Sequence, residues 1–127
     1  MFSSTAGVSS VAASTTSYWF ITGSGADNTT ETNRRCALPV GGTMRSFVVT
    51  TIGSQPASGS LVLTVRKNAA DTSLTITIAA GSAAGIFSDL INSFTFSAAS
   101  DYLAVKAVNN ATGTSTQVQV MSTAIYA

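Results

Sequence analysis

The chain has 127 residues, six Lys and Arg against five Asp and Glu, and only 9% charged residues, where about a quarter is usual. A net charge of +1 excludes a strong field for holding a nucleic-acid backbone or an anionic membrane surface. The absence of histidine removes the commonest general base and zinc ligand, and a lone Cys36 excludes an intrachain disulfide.

Residues 1–17, MFSSTAGVSSVAASTTS, contain no charge and one large side chain, Phe2. The stretch lacks the basic start and apolar run of an export signal. It reads as an extended arm, too poor in apolar area to form core, that could add as a strand to a neighbouring subunit through Phe2, Val8 and Val11. Three consecutive aromatics follow, Tyr18, Trp19 and Phe20, and with Ile21 they predict a first strand over Tyr18–Gly23 with large groups on both faces. Burial on both faces is expected, either as core packing throughout or, since Trp and Tyr anchor interfaces, with one face against a partner. Gly23 to Asn33 is a loop by composition.

Cys36, Leu38 and Val40 predict a short strand, placed at an edge or bulge because Pro39 has no donor. A Gly41-Gly42 turn leads into a longer strand from Met44 to Ile52, and Gly53 to Ser60 is a loop. The clearest hairpin comes next: Leu61, Leu63 and Val65 share a face with Leu74, Ile76 and Ile78, while Thr64, Thr75 and Thr77 point the other way. Asn68 is the expected left-handed turn residue. Further strands are expected at Ser93–Ser97, at Tyr102–Val108 and in the closing QVQVMSTAIY. With eight or nine strands and no sustained helical period, the chain reads as one all-β domain. No stretch approaches 18 consecutive apolar residues, so no transmembrane helix is expected.

Little chemistry is visible. Asp27 and Glu31 are the only acidic residues near each other, and they read as solvated charges of a Gly- and Thr-rich loop, which is not the shaped loop that calcium requires. The basic pairs Arg34-Arg35 and Arg66-Lys67 lie at strand ends, where such pairs are more often solvated than functional; on so charge-poor a surface they are also natural ion-pair partners across subunits. Asn28 and Asn110 head glycosylation-type tripeptides, expected by chance in a chain so rich in Ser and Thr. Cys36 reads as a small buried apolar side chain.

Residues 38–125 resemble phage-borne and bacterial jelly-roll modules of the tumour-necrosis-factor and C1q-like kind. The resemblance rests on VGGTMRSFVVTT, on the loop IGSQPASGS, on LTVRKNAADTSLTITIAAGSAAG, and on FTFSAASDYLAVKAV. It departs where Ala69 and Ser100 stand in place of the expected glycines. What it implies is a jelly-roll β-sandwich of about eight strands that commonly forms trimers, and that in phages sits outside the virion as a decoration or fibre domain.

These readings combine into an expectation: an arm over 1–17 and a jelly-roll domain over 18–127, without enzymatic activity, cofactor or metal. The expected role is a capsid decoration or cement protein on the virion exterior. It would bind the major capsid protein as a homo-oligomer, a trimer before a dimer, with Phe2, Val8, Val11, Tyr18, Trp19, Phe20, Arg34 and Arg35 at the contacts. The alternative is a receptor- or glycan-binding head module of a fibre or C1q-like adhesion protein, which would recognise its ligand through loops such as 23–33.

Overall fold

The computed structural model describes residues 2–24, 26–113 and 116–126, with side chains over 10–22, 26–113 and 125–126. Among them are ten strands: β1 (Phe2–Val11), β2 (Thr15–Trp19), β3 (Gly23–Ser24), β4 (Cys36–Ala37), β5 (Gly42–Thr51), β6 (Leu61–Lys67), β7 (Ala70–Ile78), β8 (Ile86–Phe96), β9 (Tyr102–Asn109) and β10 (Thr116–Tyr126). A 3-10 turn at Glu31–Asn33 is the only helical element described. One sheet runs β3-β1-β10-β5-β8 and the other β2-β9-β6-β7, with β4 continuing the β2 side of β9. The chain is an all-β sandwich. Its neighbouring strands are antiparallel apart from β1 and β3.

Alternation builds the core. In the β6–β7 hairpin Leu61 lies opposite Ile78 and Leu63 opposite Ile76, and these four are buried with Val65 and Leu74. Each such aliphatic contributes roughly 1.5–3 kcal/mol through the surface it takes out of water. The facing sheet supplies Val11, Met44, Phe47, Val49, Phe96 and Ile125. The hairpin turn is two residues long, with Asn68 at φ 50° and Ala69 at φ 63°, as a twisted two-residue connection requires. Asn68 holds the expected left-handed position, and Ala69 does the same without a glycine's freedom. In the 97–101 turn the left-handed residue is Ala99, φ 54°, one position before the Ser100 at which the resemblance expects glycine.

The N-terminal segment is a correction. Residues 2–11 form β1 within the chain's own sheet, paired along β10 from Phe2↔Ala124 to Val11↔Thr116. The expected boundary between residues 17 and 18 falls inside β2. Ser, Thr and Val suit extended backbone, and β10 provides the ladder that offsets the chain entropy this segment could not offset by itself. The first aromatic strand is likewise displaced: it runs Thr15–Trp19, and Ile21 is buried beyond its end.

A polar knot ties the loop at 53–60 to both sheets. The Gln55 side-chain amide donates to the Gly59 carbonyl at 2.7 Å and to Asn109 Oδ1 at 3.2 Å, and Asn109 Nδ2 donates to the Val11 carbonyl at 2.9 Å. A Cβ on Gly59 would sit 2.4 Å from the Asn110 carbonyl oxygen, so this close approach requires glycine.

Candidate functional site

The expected contact residues do not form one surface. Val11 and Trp19 are buried in the core; Tyr18 is half-buried on β2, where its main chain exchanges hydrogen bonds with Asn28. Phe20 is half-buried beneath the Arg34 guanidinium, 5.4 Å from the ring centroid. Arg34 also donates to the Ala26 and Asn33 carbonyls, and Arg35 lies 4.6 Å over the Tyr102 ring. Phe2 and Val8 stand on β1, but their side chains lie outside the described residues. The reason is geometric. In a strand consecutive side chains point to opposite faces, so Trp19 turns inward while its neighbours turn outward.

Of the basic pairs expected to reach across subunits, Arg66 and Lys67 meet acidic residues within the chain instead. Arg66 of β6 donates from Nε and Nη2 to the Glu31 carboxylate at 3.2 and 3.0 Å and from Nη1 to Asp71 at 2.5 Å, and it also bonds the Ala69 carbonyl. Lys106 of β9 donates to the other Asp71 oxygen at 2.7 Å. Lys67 meets Asp101 at 3.5 Å. The bidentate hydrogen bonding to Glu31, more than the partial burial that opposes it, raises the Arg66 pKa above its ordinary value. Partial burial pushes the Asp71 carboxyl up, and Lys106 and Arg66 more than reverse it, holding the pKa below the usual range. Glu31 is therefore pinned to the outer face of a sheet, which corrects its expected place among solvated loop charges. Cys36 is half-buried and packed against the core. Among the described residues no group of His, Cys, Asp and Glu could hold a metal ion, and no described helix is long and apolar enough to cross a membrane.

What stands out is one edge. β8 closes the first sheet, and its side chains lose phase midway: Phe87 and Asp89 face inward before the break, Phe94 and Phe96 after it. The register shows why. Arg45 pairs with Ser93 and Phe47 with Asp89, so Leu90, Ile91 and Asn92 stand opposite Ser46 alone, whose φ is 61°. The Asp89 carboxylate holds this bulge. It accepts from the main-chain N–H groups of Ile91 (3.2 Å), Asn92 (3.0 Å) and Thr75 (3.2 Å) and from Asn92 Nδ2 (2.9 Å). Burial pushes the Asp89 pKa up, but these four donors outweigh it and hold the carboxyl below the usual carboxylate range.

The outward face that leads into the bulge, and the bulge itself, set aliphatic side chains in solvent. Leu90 is 63% exposed, Ile91 93%, and Ile86 at the head of the strand 74%. The exposed rings of Tyr102 and Tyr126 each lie beneath an arginine, whereas these three aliphatics are bare of any such cover. Reading of the sequence missed them, because IFSDLINSF keeps no period of two across the bulge. The signal it does carry is a single acidic residue in an otherwise uncharged apolar run.

Compared with protein-family models and with characterised proteins, the chain matches none.

Proposed function

We propose that this protein is a structural component of a virion, a homo-oligomeric decoration protein that binds the outer surface of a capsid and stabilises the shell, without catalysing a reaction. The observation that carries the reading is the pairing of charge economy with apolar display: the charged side chains of Glu31, Arg66, Asp71 and Lys106 neutralise one another on the outer face of one sheet, while Ile86, Leu90 and Ile91 stand exposed on the edge of the other. A surface so arranged suits contact with large neutral surfaces.

The strand order supports the jelly-roll part of this reading. With β3 and β4 set aside as two-residue bridges, the eight long strands pair first with eighth (β1·β10), second with seventh (β2·β9), third with sixth (β5·β8) and fourth with fifth (β6·β7). Such nested antiparallel pairing is what a jelly roll would require, and it supports that reading. Fold alone assigns no role. The role is tested by fractionating the source particle: the chain should sediment with the shell in fixed ratio to the shell protein, and removing it should lower the temperature at which the shell opens. A chain found only in the soluble fraction would overturn the proposal.

A further inference from the structure

The β8 edge is half closed and half open. Toward its C-terminal end the outward carbonyls are covered, Ser93 by the Ser73 hydroxyl at 2.8 Å and Thr95 by Lys67 Nζ at 2.9 Å. On the adjacent edge of the other sheet, the Thr75 N–H is taken by Asp89. The N-terminal half differs. Thr51 N–H donates to the Gly85 carbonyl, and antiparallel bonding alternates, so Phe87 and Asp89 bond to β5 while the main-chain groups of Ile86 and Ser88 face away from the sheet. Their outward neighbours are the exposed side chains of Ile86, Ser88 and Leu90 on one face.

We propose that this open half-edge pairs with itself: two copies of the chain join antiparallel through residues 86–90 about a two-fold axis at Ser88, making one sheet continuous across the dimer. The register is self-complementary. Ser88 meets Ser88 of the second copy with two main-chain hydrogen bonds, and Ile86 of each copy lies beside Leu90 of the other, an aliphatic cross-strand pair repeated twice. Two-fold contact sets every charge near its own duplicate, and this flank is the place where that costs nothing. From Thr72 to Ser100 the only charged residue is Asp89, which is buried and fully engaged in the bulge. Edge strands are ordinarily guarded by a lysine or an outward charge; here the exposed positions are aliphatic or hydroxyl. The strip is short, so the contact belongs to the weak class of interfaces, with dissociation in the micromolar range.

This inference specifies the self-contact of the function proposed above, and its test uses purified protein without any shell, so either can fail without the other. Full-length protein carrying Ser88→Cys is oxidised mildly beside Thr77→Cys, an exposed position on the outer face of β7. Disulfide-linked dimer should form at least tenfold faster at 88, because directly paired strand residues lie at roughly 5.5 Å between Cα atoms, within disulfide reach. Sedimentation of the unsubstituted chain should show a concentration-dependent dimer. Ile86→Lys, with an unchanged circular dichroism spectrum, should weaken that dimer at least about tenfold. Equal crosslinking at 77 and 88 would overturn the proposal, as would a lysine variant that self-associates like the parent, or a parent that stays monomeric up to roughly 500 µM, far above the micromolar range of a weak interface.

Discussion

The two strands that border the same flank of the sandwich solve the edge problem in opposite ways. β7 keeps strict alternation over its second half, with Leu74, Ile76 and Ile78 buried and Thr75 and Thr77 exposed, so its solvent face is hydroxyl. β8 breaks alternation at a bulge, buries its carboxylate and exposes its aliphatics. The first arrangement needs no more than local pattern. The second depends on Asp89, which draws donors from its own bulge and from the neighbouring sheet, so that an energetically costly feature is held by tertiary contacts. One edge thus displays an apolar surface and the other a neutral hydroxyl one.

The sharpest break of that comparison is Ile76→Asp. An unpaired carboxylate among Leu63, Leu74 and Ile78 costs several kcal/mol against a total domain stability of about 5–15 kcal/mol, and the variant should be unfolded by circular dichroism. Next in size is Asp89→Asn. Its amide cannot accept from all four donors, and the expected loss is about 2–4 kcal/mol in urea denaturation. The same carboxylate predicts a pH dependence. Its folded pKa is depressed, so its contribution is fully present above the unfolded value of about 3.9 and is lost as pH falls through the folded value. Thermal melts of the parent chain should decline below roughly pH 5, and Asp89→Asn should flatten part of that decline.

Ala69→Gly at the β6–β7 turn acts in the opposite direction. At φ 63° a Cβ is strained by roughly 1 kcal/mol, and the glycine variant should raise the melting temperature by a few degrees, less whatever the unfolded chain gains in entropy. The smallest effects belong to the exposed positions. Thr77→Asp on β7 and Ile91→Ser on β8 should each change folding stability by no more than about 0.5 kcal/mol. A large loss at Ile91 would mean that the bulge residue is packed rather than displayed, and the contrast between the two edges would fall.

Much of the sandwich was legible because period-two alternation survives wherever a strand runs unbroken. The 61–78 hairpin, its inward set and its Asn68 turn could be read directly, and so could the strand at 102–108 and, beyond the break at Ser46, the run from Phe47 to Thr51. The first half of β8 could not, since a three-for-one bulge shifts the inward phase between Asp89 and Phe94. Nor could β1, whose hydroxyl-rich sequence becomes a strand only when β10 arrives from more than a hundred residues away. The contact residues expected from side-chain type lie scattered over the fold for a related reason: an aromatic or an arginine announces what it can bind, not which face it will occupy. Trp19 was drawn into the core and Arg34 onto Phe20.

By itself, then, the sequence determined the secondary-structure class, the single hairpin that anchors one sheet, and the low charge that leaves uncovered apolar surface free to associate, because these follow from local pattern and composition. Tertiary structure decided where residues 2–11 go, which cations are consumed by Glu31, Asp71 and Asp101, and which apolar side chains remain outside. Those outcomes depend on long-range strand pairing and on the position of one bulge, where a shift of one residue exchanges inside for outside.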